Sequence, residues 1–316
     1  MDLTETNNVK SPIFYLKRTI GILLIVAMAA VFFYSGATKL YTIEAFEWTF
    51  VDIGISNYAL ASVLARLLIG LEFTIGAFLL FHIGLKRVTY PITIALLLVF
   101  TIYLIILIAT NGNSGDCGCF GEELPMTPLQ AIIKNIIMLA VTFILMAIHK
   151  VKIRNWQLYV GGFLLMASLV IPFVIYPMSV GSIPPRIDRA IDLNPLYEND
   201  TTPETELRTG KHIISFMSLT CPHCRKAAHI FHILKKRYPE LPIQFVLMGH
   251  ESLEQEFFDE TEATNIPYIL LKDKEAFKEM AGKSVPAIYW INNSVIEYQG
   301  NYLQLDPAVI NDWLKQ

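Results

Sequence analysis

The chain reads as an α-helical membrane bundle of about five transmembrane helices followed by a small α/β domain, and three observations carry that reading. Of its 316 residues, 53% are hydrophobic and 17% charged, with a positive mean hydropathy, which lies outside the range of an ordinary soluble domain. The apolar excess is concentrated before Met178, in long stretches of helical length. Beyond that point strand-like runs alternate with helix-like periods.

Taken in order, Thr19 to Thr38, Tyr90 to Thr110 and Trp156 to Met178 carry no charge. Each is long enough to cross about 30 Å of hydrocarbon as a helix. Two further spans are interrupted: Tyr58 to Phe81 by Arg66 and Glu72, and Pro128 to Ile148 by Lys134 and Asn135. Lys17 and Arg18 precede the first stretch as they would a signal peptide. That stretch is long for such a core, however, and no clear small-x-small cleavage site follows, so a retained helix is expected.

Lys17 and Arg18, Lys86 and Arg87, and Lys150, Lys152 and Arg154 all fall on one side of a five-span bundle. The other two loops, around Lys39 to Ser56 and Asn111 to Met126, hold Glu44, Glu47, Asp52, Asp116, Glu122 and Glu123 against Lys39 alone. The positive-inside rule then predicts a multi-pass protein of a bacterial cytoplasmic (inner) membrane. Its N-terminus is cytoplasmic and everything after Met178 is periplasmic or otherwise extracytoplasmic. Lipid is the expected surrounding, and no nucleic-acid partner is expected.

Ser179 to Gly210, with Pro184, Pro185, Pro195 and Pro203, reads as a linker. The expected organisation is therefore residues 1–178 as the membrane domain, 179–210 as the linker and 211–316 as the α/β domain. His212 to Met217 and Ile243 to Leu247 are β-rich runs flanking a helix with Ala227, Ile230, Phe231 and Leu234 on one face. Ser252 to Ala263 suits a polar helix, Tyr268 to Leu271 a short strand and Lys274 to Ala281 another helix. Ala287 to Ile291 and Val295 to Tyr298 form a hairpin across Asn292, Asn293 and Ser294. Asp306 caps a last helix with Pro307 in its first turn and Val309, Ile310, Trp313 and Leu314 as its buried stripe.

All four cysteines fall in two close pairs, Cys117/Cys119 in Asp-Cys-Gly-Cys-Phe-Gly and Cys221/Cys224 in Cys-Pro-His-Cys. The predicted topology puts both pairs in one oxidising compartment, where dithiol chemistry persists. A strand, then Cys221-Pro222-His223-Cys224 opening a helix, then Val285-Pro286 before a hairpin, resembles the thioredoxin superfamily over roughly Glu206 to Gln316. The resemblance implies that Pro286 is cis and shapes a peptide-binding groove beside the sulfurs. Two positions depart from thioredoxin itself: Ser215 stands where a buried Asp is usual, and Thr220 replaces the usual Trp. A structural zinc site is disfavoured, since it needs four ligands and the second pair lies in another domain, so no metal site is expected.

Cys221 stands at a helix N-terminus, where the partial positive charge and unsatisfied N–H groups favour a thiolate, and is the expected nucleophile. Cys224, one turn inward, is expected to resolve the mixed disulfide. His223 is expected to add positive charge beside the sulfurs. His212, His229, His232 and His250 are expected to serve packing or surface roles.

In the membrane half, Ser35-Gly36-Ala37-Thr38-Lys39-Leu40, Leu71-Glu72 with Gly76, Asp116-Cys117-Gly118-Cys119-Phe120-Gly121 and Lys134-Asn135 resemble the MauE branch of the DoxX-like membrane proteins over about Phe14 to Ile148. That family's association with disulfide formation in exported proteins implies exported thiol and disulfide proteins as partners. A Cys-Gly-Cys disulfide closes a small strained ring, which makes it more oxidising. Arg66, Glu72 and Lys134 are costly to place in hydrocarbon and so are functional candidates. Arg66 and Lys134 are expected to snorkel towards interfaces, which leaves Glu72 as the candidate for a quinone headgroup. The expected activity is that of a membrane-bound thiol–disulfide oxidoreductase. The competing classes are a Cu(I)-binding and delivery protein for an exported metalloenzyme, and a transporter with Glu72 in its pathway and a regulatory redox domain.

Overall fold

The structure, a computed structural model, describes residues 12–52, 54, 57–113, 126–148, 156–198 and 202–316. The expectations that rest on Cys117 and Cys119 lie outside these residues. The chain divides into two compact units, Met1–Ile43 with Ala65–Pro177, and Glu44–Leu64 with Met178–Gln316.

The first unit is helical. Its helices are α1 (Pro12–Tyr41), the later part of α3 (Tyr58–Leu80), α4 (Tyr90–Asn111), α5 (Pro128–Ile148) and α6 (Trp156–Ile175), while the intervening α2 (Ile43–Asp52) falls almost wholly in the second unit. Five segments are long and apolar enough to cross a membrane: Arg18–Tyr41, Tyr58–Leu80, Leu85–Ala109, Pro128–Ile148 and Trp156–Ile175. These are the five spans expected. Four helices share one core, in which Ile25, Phe32, Ile75, Leu97 and Met138 are buried. Large apolar side chains on the opposite faces, among them Val99, Ile102, Phe143, Phe163 and Val174, are exposed as a lipid-facing surface requires. Helices α1 and α3 meet through reciprocal glycines. A Cβ on Gly36 would lie 2.9 Å from the Phe73 ring, and one on Gly76 3.0 Å from the Phe33 ring. Small residues at such points let membrane helices approach closely.

The second unit is built on a six-stranded sheet of order β1-β6-β5-β2-β3-β4. Its strands are β1 (Arg186–Ala190), β2 (Lys211–Ser218), β3 (Ile243–Met248), β4 (Tyr268–Leu270), β5 (Ala287–Asn292) and β6 (Val295–Gly300). Strands β2, β3 and β4 run parallel, and β5, β6 and β1 add antiparallel. The β5–β6 turn places Asn293 and Ser294 at φ of 49° and 60°, the double left-handed turn that matches strand twist. Alternation along β2 sends Ile213 and Met217 to one face and Ile214 and Phe216 to the other. The first face is covered by α7 (Pro222–Arg237), α8 (Glu254–Thr261) and α10 (Pro307–Lys315), and the second by α9 (Lys274–Ala281). With α7 between β2 and β3, and a cis peptide at Val285–Pro286, this is a thioredoxin-like α/β arrangement.

Three expectations are corrected. Residues 179–210 are not a plain linker: they supply the edge strand β1 and bury Ile191, Leu193, Leu196 and Leu207 in the core of the second unit. The loop around Lys39 to Ser56 is largely α2, and its residues enter the α7-side core of the second unit through Trp48 and Val51, joined by Tyr58 and Ala61 of α3. The α/β unit thus extends beyond 211–316 at both levels. Lys39, expected as a loop cation, lies in the last turn of α1 and is 2% exposed.

The Glu44–Leu64 segment is held by specific contacts within its unit. The Trp48 and Tyr58 rings lie 5.0 Å apart, the Tyr58 hydroxyl is 3.0 Å from Ser179 Oγ, and Lys236 Nζ donates to Asp52 at 2.6 Å.

Candidate functional site: a dithiol and a buried polar cluster

Strand β2 ends at Ser218, and the chain turns through Leu219 and Thr220 into α7, whose N-cap is Cys221. Pro222 occupies the first helical position, where its missing N–H costs nothing. Cys221 Sγ takes the place of a capping oxygen and accepts from the Cys224 N–H at 3.4 Å. A sulfur in that position sits against the positive end of the helix. Cys221 is half-buried, whereas Cys224 is fully buried, and both are free thiols.

Cys224 Sγ accepts from the Ser218 N–H at 3.4 Å, and burial pushes the Cys224 thiol up, with the hydrogen bond to Cys221 adding to the shift. The two sulfurs are thus unequal: one accessible at a helix end, one kept protonated in the core. Cys221 Sγ also lies 3.8 Å from the Val285 carbonyl oxygen, so the residue before the cis Pro286 adjoins the outer sulfur. His223 is exposed and its Nδ1 is 3.5 Å from the Tyr302 hydroxyl. Ser215 is fully buried, and its Oγ has no hydrogen-bond partner among the described residues. One turn along α7, Arg225 is anchored by the Leu219 carbonyl and by Glu256 and Glu260 of α8, which fixes the start of the helix.

In the helical unit, Glu72 is buried with Lys39. Lys39 Nζ donates to Glu72 Oε1 at 2.7 Å and to Ser35 Oγ at 2.6 Å, and Ser35 Oγ donates to the same Glu72 oxygen at 3.1 Å. The Lys39 and Glu72 side chains are 3% and 4% exposed. The second oxygen, Glu72 Oε2, is buried and has no hydrogen-bond partner among the described residues. The cluster borders a cavity of about 20 Å³ that Phe100, Lys134 and Asn135 also line. Arg66 does not snorkel: it is 2% exposed and donates to the Tyr176 and Pro177 carbonyls at 2.9 and 3.2 Å, just past the C-terminal end of α6. There a guanidinium is held by unsatisfied carbonyls and the negative end of the helix dipole.

Residues 17–148 match the family described as methylamine utilisation protein MauE. The chain is 28% identical over 343 residues to Protein TlpB of Flavobacterium psychrophilum, an alignment that covers 90% of this chain and 92% of that protein. The membrane part of this chain is MauE-like, and its α/β unit has a thioredoxin-like strand order and cis-proline. Among solved structures, the thioredoxin domain of a thiol-disulfide oxidoreductase from Bacteroides vulgatus aligns over 43% of this chain and 97% of its own, at 16% identity and a TM-score of 0.31. A thiol:disulfide interchange protein from Bacteroides sp. aligns over 44% and 92%, at 17% identity and a TM-score of 0.32. This MauE-like chain is a multi-pass membrane protein.

Of the residues singled out from sequence, the structure brings Cys221, Cys224, His223 and the segment at Pro286 to one end of the sheet of the thioredoxin-like unit, and it places Glu72 in the MauE-like unit. Sequence reasoning missed the partners of Glu72. The available signal was spacing: Ser35 and Lys39 are four apart and therefore share a face of α1. Packing or surface placement describes His212, His229, His232 and the exposed His250. His212 is 8% exposed against the Thr209 carbonyl, and the His229 and His232 rings stack 6.2 Å apart on α7.

Proposed function

We propose that this protein is a membrane-bound thiol–disulfide oxidoreductase acting on exported proteins, with Cys221 as nucleophile and Cys224 as resolving thiol. The observation that carries the reading is the inequality of the two sulfurs: Cys221 Sγ caps α7 and is accessible, while Cys224 is buried and held protonated. The accessible sulfur forms the mixed disulfide with a client, and the buried one breaks it once deprotonated. In the oxidising direction, a client thiolate attacks Cys221 of the Cys221–Cys224 disulfide and expels Cys224 as thiolate. A second client thiolate then attacks the client sulfur of the mixed disulfide and releases Cys221. The client leaves with one disulfide, and the pair is left as a dithiol carrying two electrons and two protons.

Those electrons pass by a second exchange to the Cys117–Cys119 disulfide of the membrane part and then to a quinone. The distribution of Lys17, Arg18, Lys86, Arg87, Lys150, Lys152 and Arg154 supports a cytoplasmic N-terminus, which puts both cysteine pairs outside the cytoplasm. Pro286 beside Val285 bounds the groove for the client chain, and His223 flanks the sulfurs on the solvent side.

The test is Cys224→Ala in the full-length protein in membranes. Without its resolving thiol, Cys221 should accumulate as mixed disulfides, visible as Cys221-dependent species on non-reducing gels, with linkage to Cys117 or Cys119 identified by mass spectrometry. If no such species forms under oxidising conditions while the protein remains folded, the relay is wrong.

A further inference from the structure

We infer that the buried Ser35–Lys39–Glu72 cluster and its cavity form the site at which a lipid-soluble quinone places one ring oxygen, an assignment that rests on the redox reading above. Four helices far apart in sequence converge there: Ser35 and Lys39 come from α1, Glu72 from α3, Phe100 from α4, and Lys134 and Asn135 from α5. Ion pairs among membrane spans are costly to desolvate and are retained where they act on a ligand, ion or proton.

The pairing at this site is incomplete. Lys39 and Ser35 both converge on Glu72 Oε1, while Oε2 is buried and lacks a partner among the described residues. A buried carboxylate oxygen of that kind calls for a hydrogen-bond donor. The cavity that Glu72 helps to line, about 20 Å³, suits one water or one hydroxyl oxygen, not an entire buried ring. Its walls are otherwise apolar, with the Phe100 ring 5.3 Å from Lys39 Nζ, and Lys134 and Asn135 complete the polar lining, the Asn135 amide donating to Thr101 Oγ1 at 3.3 Å.

A molecule that suits this lining is uncharged, dissolves in lipid, and carries an oxygen that accepts in one redox state and donates in the other. A quinone–hydroquinone couple has that property: its carbonyl accepts from an ammonium or amide, and its hydroxyl donates to a carboxylate. The reaction balances. Two thiols lose two electrons and two protons and become one disulfide, and the quinone gains both and becomes a hydroquinone. The ion pair bordering the ring oxygen gives the protons a buried relay between carboxylate and ammonium.

The experiment uses the full-length protein in lipid nanodiscs and an azido-benzoquinone photolabel, competed by a short-chain benzoquinone. Saturable labelling should fall on peptides of α1, α3, α4 and α5 that line the cavity, and Glu72→Gln should weaken competition by about tenfold or more, as expected for losing a charged hydrogen-bond acceptor. Where Glu72→Gln fails to fold, Lys39→Met/Glu72→Leu removes both charges together and is read instead. Labelling spread over all lipid-facing helices, or equal affinity in wild type and variant, overturns the site and leaves the cavity as a water position. Cys221→Ser/Cys224→Ser separates the two proposals: it should abolish thiol exchange and leave quinone labelling intact. Thiol exchange in a wild-type protein that shows no saturable labelling removes the quinone site alone. Labelling without any thiol exchange removes the functional reading and leaves the site.

Discussion

Trp48→Ala tests whether the Glu44–Leu64 segment is an integral part of the thioredoxin-like unit. Trp48 is 2% exposed, is among the largest fully buried side chains, and stacks on Tyr58 within the core that also holds Cys224. Truncating a buried Trp to Ala costs about 3–5 kcal/mol through lost burial and the cavity left behind. Each 1.4 kcal/mol is a factor of ten, so the opening equilibrium of the unit should rise from about 100-fold to several thousand-fold. Cys224, fully buried, is a natural reporter. In a Cys117→Ser/Cys119→Ser/Cys221→Ser background it is the last of the four cysteines in the chain. Its alkylation rate, measured in enough urea that labelling proceeds through global opening of the unit, reads the change directly. Leu158→Ala, at a side chain 78% exposed on α6, is the control and should leave the rate unchanged. A Trp48→Ala rate within twofold of the parent would refute the assignment of the segment to this core.

Two further outcomes follow from the same structure. Burial raises the Cys224 thiol above its unfolded range of about 8.5, so the folded state holds its proton where the unfolded state has lost it. That contribution is complete below about pH 8.5 and is lost as pH rises, by up to about 1.4 kcal/mol per pH unit, so the urea stability of the reduced protein relative to Cys224→Ala should fall between pH 8.5 and 10. A constant difference across that window would contradict the buried-thiol assignment. Asp306 caps α10, accepting from the Ala308 N–H at 2.9 Å and also from the Gly181 N–H at 2.7 Å. Asp306→Ala should cost about 1–2 kcal/mol in urea unfolding and Asp306→Asn less, because Asn keeps one accepting oxygen for the Ala308 N–H while its amide N–H cannot accept from Gly181. Equal losses for the two variants would show that the cap at Ala308 is not what Asp306 contributes there.

The spans were legible because a helix in lipid must satisfy its backbone internally and show apolar side chains outward, which leaves long uncharged runs in the sequence. The dithiol was legible for a similar reason. Both sulfurs, the Pro at the first helical position and the flanking strand lie within a few residues of each other, so local spacing predicts their geometry. Strand β1 was not legible. Arg-Ile-Asp-Arg-Ala is exposed at all five positions and carries no apolar period, and it is a strand because β6 offers it an edge. Helix α2 has a helix-compatible pattern, but its acidic residues suit an outer loop equally, and apart from Val51, Tyr58 and Ala61 the core that Trp48 joins lies more than a hundred residues away.

By itself, the sequence determined the two-part architecture, the order of nearly all its strands and helices, and the unequal roles proposed for Cys221 and Cys224. These follow from interactions within a turn or two of chain. Tertiary structure decided that residues 179–210 and the Glu44–Leu64 segment complete the α/β core, that Arg66 is spent on the carbonyls past α6, and that Glu72 is paired with Lys39 across 33 residues. The reason is physical: burial and pairing of a charge depend on which distant surface meets it, and the local pattern around Lys39, Arg66 and Glu72 carries the cost of each charge without naming its partner.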